Sequence, residues 1–360
     1  MFPALEKNNA KPININNSLY NHALGAFLGA CVGDAAGAPL EMMHSLPNKE
    51  AVFDAMNMCG GGIHRVGKGQ MTDDGELALC LAQGLIQERE FNLENIAKMY
   101  VKWFESDPFD CGYTCSAPMS LISQEGNQEM AKLNDYAEKM KEIAQYKSIE
   151  SKANGSLMRC IPLAIWGQNL DDHVLASYAI QDSKLTHPNQ SCCDAVASYV
   201  ICAANLIKTS GDIREALFHT EMWLERNAND EVRSWFDDAM KNENIPYSPQ
   251  IGFVKIAYTH AFRHLKLSTP YKEAIEETLS GGGDTDTNAC IVGGLLGAAY
   301  GFDAIPTNMK EAVLNCDTSI HKVRSPIRVS YKKDGFRPRP EFLQAKLIES
   351  LTEKLLIAIR

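Results

Sequence analysis

An all-α fold is what this sequence predicts, and three observations carry the prediction. Apolar residues recur at intervals of three and four along most of the chain, period-two alternation is scarce, and the strand–helix alternation of a doubly wound sheet does not appear. In chain order, Leu19, Ala23, Ala26, Phe27 and Ala30 mark one helix face, and Leu77, Cys80, Leu81 and Leu85 a second. Leu93, Ile96, Met99, Tyr100 and Trp103 mark a third, and a helix is expected near 129–146. Cys193, Val196, Ala197, Val200, Ala204 and Ile207 form the longest apolar face. Beyond it the spacing predicts helices near 213–226, 252–265, 270–279, 288–300 and 341–358, the last with Leu343, Leu347, Leu351 and Leu355 at steps of four. Only residues 323–331 read as extended, and the Asn-rich stretch 240–250 reads as a loop. No Ser/Pro/Gly-rich linker interrupts residues 20–320, so residues 18–360 are read as one domain behind a flexible tail, 1–17.

Composition narrows the function. Among 360 residues, 45 Asp and Glu oppose 35 Lys and Arg, a net charge of -10, which argues against a nucleic-acid binder working through positive charge. With 45% hydrophobic and 22% charged residues the chain can bury a sizeable core. No apolar run is read as approaching the roughly 20 residues of a membrane-spanning helix. MFPALEKNNAKPININN lacks the apolar stretch of a secretory signal, so a cytoplasmic location is expected. Several of the eleven cysteines (Cys80, Cys193, Cys202, Cys290) fall in apolar helical segments, where a reduced thiol acts as a small hydrophobe. Cys111 and Cys115 have no second pair at zinc-finger spacing.

Two acidic clusters stand at the start of helical patterns: Thr72-Asp73-Asp74, before a helix read from Glu76, and Asp284-Thr285-Asp286-Thr287, after Gly281-Gly282-Gly283. A helix N-terminus favours a capping carboxylate, but one suffices. Adjacent acids repel, and several held together in a cleft call for a cation. Carboxylates with Thr hydroxyls form an all-oxygen donor set, which selects Mg²⁺, Mn²⁺ or Ca²⁺. An EF-hand is excluded, because Ala289 stands where the turn glycine belongs and Leu295 where the bidentate glutamate belongs. The glycine triplet permits positive φ and close approach of backbone N–H groups to a ligand. His260 and His264 in HAFRH lack the glutamate of a zinc-protease motif and read as core or solvated. His187, in a loop before the helix from Ser191, is suited to face a pocket.

The stretches GDAAGAPLE (33–41), QMTDDGELALCLAQGLI (70–86), ANGSLMRCIPLAIW (153–166), LTHPN (185–189) and SGGGDTDTNACIVGGLLGAAYG (280–301), in this order, resemble the ADP-ribosylglycohydrolases over residues 20–302. Asp107 to Thr114 is similar to the D-x-G-x-T stretch of the branch that regulates dinitrogenase reductase. The resemblance implies a compact orthogonal multi-helix bundle with a dinuclear metal cleft. Two Mg²⁺ or Mn²⁺ ions would be held there, one by Thr72, Asp73 and Asp74 and the other by Asp284, Asp286 and Thr287, with Asp286 as the bridge.

It further implies Glu41 as the catalytic glutamate and Asp110 as a carboxylate beside the scissile bond. Asn154, Gly155, Ser156 and His187 would contact substrate, with Gly281, Gly282 and Gly283 taking its pyrophosphate or ribose side. Gly33-Asp34 is read as shaping the first loop. Gly75 departs from the family's usual threonine, a loss of a hydroxyl but of no ligand. The implied activity is removal of ADP-ribose from an ADP-ribosylated protein, arginine-linked by choice because a carboxylate at Asp110 can pair bidentately with a guanidinium. Serine linkage, O-acetyl-ADP-ribose, a catalytically inactive ADP-ribose binder and a two-metal phosphohydrolase stand as alternatives. The segment VRSPIRVSYKKDGFRPRP (323–340) is given no role by the resemblance.

Overall fold

A computed structural model describes residues 17–124, 135–319 and 336–358. Residues 1–16 of the tail read at 1–17, part of the helix read at 129–146 and the extended stretch at 323–331 lie outside the described residues, and Asn17 is the first residue of a helix. The first helices are α1 (Asn17–Gly37), α2 (Lys49–Met56), α3 (Asp73–Leu85), α4 (Leu93–Phe104), α5 (Tyr113–Gln124) and α6 (Tyr136–Ser148). After them come α7 (Ile161–Trp166), α8 (Asp172–Lys184), α9 (Gln190–Lys208), α10 (Ile213–Asn227) and α11 (Asp230–Met240). The series closes with α12 (Val254–Lys266), α13 (Tyr271–Ser280), α14 (Thr285–Tyr300), α15 (Thr307–Leu314) and α16 (Ile348–Ala358). Among the described residues there is no strand, only isolated bridges at Gly61–Val66, Ala153–Phe253 and Ser319–Arg339.

The strongly periodic segments are the helices that the spacing predicts. Six helices lie outside it: α2, α5, α7, α8, α11 and α15. Several are short or start from polar residues, and their ends are set by caps instead of by a long apolar face. The Asn48 side chain accepts from Ala51 N, Asp171 from His173 N and Asn229 from Val232 N. The helix read over 341–358 begins only at Ile348, after two short 3₁₀ turns. Gln344 interrupts it, since its Nε2 donates to the carbonyls of Arg339 and Pro340 and its Oε1 accepts from Thr318 N. By length and composition α9 is apolar enough to cross a membrane, contrary to expectation, but 94% of that stretch is buried inside the fold.

Helices α1 and α14 pack together at the centre, and the reason is a row of glycines. A Cβ added at Gly25, Gly29, Gly33 or Gly37 would stand 2.0–2.5 Å from backbone atoms of Gly297, Gly293, Ala289 and Asp286. Four glycines at steps of four leave one face of α1 without side chains, so the two backbones touch. This contact brings the end of α1, with Asp34 and the turn leading to Glu41, against the start of α14, with Asp286. The N-terminus of α3 closes on the same place, because Asp34 accepts hydrogen bonds from Thr72 N, Thr72 Oγ1 and Gly75 N at 2.8–3.1 Å.

Candidate active site: a carboxylate-lined cleft

The capping explanation of the two acidic clusters fails on inspection of the helix starts. Neither Thr72 before α3 nor Asp284 before α14 makes a side-chain cap bond. The cap of α3 comes from another helix: Asp34, on α1, accepts from Thr72 N just before it and from Gly75 N in its first turn. Asp34 was expected merely to shape a loop; it is instead a fully buried helical residue. The same carboxylate accounts for the glycine after Asp74. A Cβ at Gly75 would stand 2.7 Å from Met71 Sδ and 3.0 Å from Asp34 Oδ2, so a larger residue there would require these side chains to shift.

With α3 held by Asp34, the other acids of the two clusters, Asp74 excepted, face a cleft of about 340 Å³. Asp73, Asp284, Asp286 and Thr287 line it, together with Glu41, Asp110, Asn154, Gly155 and His187. Thr72 and Asp74 do not reach its surface and are fully buried. Carboxylate oxygens of Asp34, Asp74 and Asp286 lie within 4.8 Å of one another, and so do those of Glu41, Asp284 and Asp286. Asp286, expected as the bridge, belongs to both groups, and Asp34 and Glu41, which were not expected among the ligands, join them. Asp74 Oδ2 accepts from Thr72 Oγ1 at 3.1 Å, while Asp74 Oδ1 is buried with no partner. A buried, unpartnered carboxylate oxygen among other carboxylates fits a cation-binding site and is costly otherwise.

The electrostatics point the same way. Burial, then the charges of neighbouring acids, pushes the carboxyl groups of Asp73, Asp74 and Asp286 well above the usual range. Asp34 is pushed up to about 7 by burial, against the hydrogen bonds from Thr72 and Gly75 that favour its charged form. Burial also raises Asp284, which Asn154 steadies by donating Nδ2–H to its Oδ2 at 2.7 Å. Each of these shifts favours the protonated form, and compensating positive charge would favour the charged one.

His64 is the residue that sequence reasoning missed. Its Nε2 lies 2.7 Å from Glu41 Oε2 and 3.3 Å from Asp110 Oδ2, so one imidazole links the two carboxylates. The hydrogen bond to Glu41, outweighing burial, raises the imidazole above its ordinary value. Burial pushes Asp110 up to about 6, partly offset by His64. The only signal available beforehand was Gly60-Gly61-Gly62, all with positive φ, which turn the chain just before Ile63 and His64.

The remaining predicted residues divide. His187 lines the cleft, its Nδ1 paired with Thr186 Oγ1 at 2.8 Å and its Nε2 buried without a partner. Burial, and next the charge of Arg159, hold it well below its ordinary value, so it is a neutral imidazole. Gly155 is on the wall, and a Cβ there would press on His187 Cε1 at 2.9 Å. Ser156 is not on the wall: it is fully buried and bonded by Ser183 Oγ at 3.0 Å. Gly281, Gly282 and Gly283, expected against the substrate, are likewise not among the lining residues. Gly282 and Gly283, with φ of 68° and 77°, turn the chain from α13 into α14. Gly281 abuts the Tyr247 ring.

Residues 16–334 match the family described as ADP-ribosylglycohydrolase. The ADP-ribosyl-dinitrogen reductase glycohydrolase of Rhodospirillum rubrum is 29% identical over 297 residues, covering 81% of this chain and 89% of the relative. The ADP-ribosylarginine hydrolase of Pseudomonas putida (strain GB-1) is 25% identical over 317 residues, covering 81% of this chain and 74% of the relative. A solved structure, named as an ADP-ribosylglycohydrolase-related protein complex, shares the fold with a TM-score of 0.67. It spans 95% of this chain and 99% of its own at 23% identity.

Proposed function

This chain belongs to the ADP-ribosylglycohydrolase family and hydrolyses a glycosidic bond, and from the geometry of its cleft we propose that it removes ADP-ribose from arginine side chains of modified proteins with two divalent cations. The observation that carries this reading is the position of Glu41. Its carboxylate meets Asp284 and Asp286 on one side and is linked through His64 to Asp110 on the other. A proton acceptor thus stands between a cluster that fits cations and a second carboxylate that fits a leaving group.

The donors that would hold the ions are Asp74, Asp284 and Asp286, with Asp73, Thr72 and Thr287 around them and Asp286 shared. An all-oxygen set favours Mg²⁺ or Mn²⁺ over softer metals. Bound there, the cations would orient the ribose hydroxyls and lower the pKa of a water. Glu41 accepts a proton from the attacking water, and His64 fixes the orientation of its carboxylate. Asp110 pairs with the guanidinium of the leaving arginine, a planar two-bond fit that a serine hydroxyl cannot make. Neutral His187, which lines the cleft and has an unpartnered Nε2, is suited to hydrogen-bond a ribose hydroxyl. The name of the Pseudomonas putida relative, an ADP-ribosylarginine hydrolase, supports the choice of linkage.

The test is release of free ADP-ribose from arginine- and serine-modified protein, with Mg²⁺ and with EDTA. Arginine-linked substrate should be cleaved faster, and only with the cation. Release of AMP or phosphate, activity that survives EDTA, or faster cleavage of the serine linkage would each reject the corresponding part of the proposal.

A further inference from the structure

The end of the Arg-rich segment, to which the motifs assign nothing, packs against the loop that carries Asp110. The Phe336 ring covers Gly67, where an added Cβ would stand 2.1 Å from it. Gln70 fastens the next residue, its Oε1 accepting from Arg337 N at 2.8 Å and its Nε2 donating to Arg337 O at 2.7 Å. Arg339, 2% exposed, then turns its guanidinium inward. Nε and Nη2 donate to the two oxygens of Glu76 at 2.7 and 2.8 Å. Nη1 donates to Ser106 O and Asp107 O at 3.0 and 3.1 Å, and Nη2 also to Ser106 Oγ at 2.8 Å.

All five N–H groups of the fork are thereby used, two on α3 and three on the loop between α4 and α5. That loop needs holding. Asp107 has a left-handed backbone, with φ of 56°, and Arg339 grips the carbonyls on either side of its Cα, those of Ser106 and Asp107. Two residues on, the Phe109 ring lies 5.3 Å from the Arg337 guanidinium and 5.9 Å from that of Arg339, with the His64 ring 6.1 Å away. The next residue is Asp110.

We infer that Arg339 is a positioning residue for Asp110: its guanidinium fixes residues 106–109 so that the Asp110 carboxylate meets His64 and faces the cleft. The inference rests on the glycohydrolase reading for what Asp110 does, but the ordering of the loop does not depend on that reading. A merely structural Arg339 would stabilise the fold without acting through Asp110.

The variant Glu76→Gln/Arg339→Met removes the fork without stranding a buried charge, since Gln still accepts from Trp103 Nε1. Amide hydrogen exchange should rise by about tenfold or more in residues 105–112, while α3 and α4 stay protected. With arginine-linked substrate, kcat should fall about 10- to 100-fold, the cost of a misplaced group, while the Kd for free ADP-ribose, which lacks the guanidinium, should be unchanged. In an Asp110→Asn background the same pair of substitutions should cost nothing further. Unchanged exchange in 105–112, or losses that add in full to that of Asp110→Asn, would overturn the inference. If the pair does not fold, Arg339→Lys, which keeps the charge beside Glu76 and loses the fork, should show the same local exchange and non-additivity, and failure to do so overturns it equally. A parent enzyme that releases no ADP-ribose would sink the glycohydrolase reading, and the exchange result would then decide the role of Arg339 by itself.

Discussion

Replacing Asp286 by Asn should make the cation-free protein more stable and the cation-loaded protein less stable than its parent. Asp286 belongs to both carboxylate groups, each with oxygens within 4.8 Å. The hydrogen bond that it accepts from Thr287 N at 2.9 Å can be kept by an Asn Oδ1. At that separation two charged carboxylates repel by about 3 kcal/mol at an effective dielectric constant of about 20. Burial and mutual repulsion raise these carboxyl groups and so reduce the charge they carry, which brings the relief expected on substitution to about 1–3 kcal/mol. For a chain of this length an unfolding entropy of about 0.8 kcal/mol per degree converts this to a rise of about 1–4 °C in Tm. Saturating Mg²⁺ should reverse the order, because the parent gains about 2.7 kcal/mol at a hundred times its Kd and the variant loses most of that gain. Thermal melts of both proteins at pH 8, in EDTA and across a Mg²⁺ titration, measure it. An Asp286→Asn protein that melts below its parent in EDTA, or that gains as much from Mg²⁺ as the parent does, would refute the argument that these acids are held together for a cation.

Other consequences follow from the same geometry. Glu41→Gln keeps an acceptor for His64 but not a proton acceptor, so kcat should drop about 10²- to 10⁴-fold with ADP-ribose binding by calorimetry retained. Asp110→Asn should slow arginine-linked cleavage more than it weakens binding of free ADP-ribose, and undiminished activity would remove Asp110 from the leaving-group side. Gly37→Ala would place a methyl group 2.4 Å from Asp286 Cα. It should destabilise the fold by about 1–3 kcal/mol and reduce turnover more than tenfold, as read by denaturant melts and ADP-ribose release. Without divalent cations, stability should decrease from about pH 6.5 to 7.5, because the folded chain still binds a proton at Asp34 (about 7) that the unfolded chain has already released, and the raised Asp73, Asp74 and Asp286 act in the same sense. Below about pH 6.5 the buried His260 and His264, both lowered to about 4, act in the opposite sense, so a Tm that climbs across the upper window is the contradicting result.

Much of this protein was legible in its sequence because the relevant physics is local. Helix periodicity in α1, α3, α4 and α9 follows from apolar spacing alone, and the repulsion within Thr72-Asp73-Asp74 and within Asp284-Thr285-Asp286 is visible in adjacent letters. Those neighbours also set the chemical hardness of the site. What the letters could not give is which acids meet. Asp34 was read as part of a loop because nothing beside it marks a carboxylate as a cap for a helix that starts 39 residues later. His64, amid glycines, has no periodic partner, and its role exists only where the fold brings Glu41 and Asp110 to the same imidazole. Arg339 is silent for the same reason: its five donors are directed at α3 and at a loop more than 200 residues away. The sequence alone determined the strongly periodic helices and the charge that had to be neutralised, since both depend on residues a few positions apart. The tertiary structure decided the site, because the contact of α1 with α14 along bare glycine faces sets the distances between carboxylates, and those distances decide which groups share a cation, a proton or a substrate.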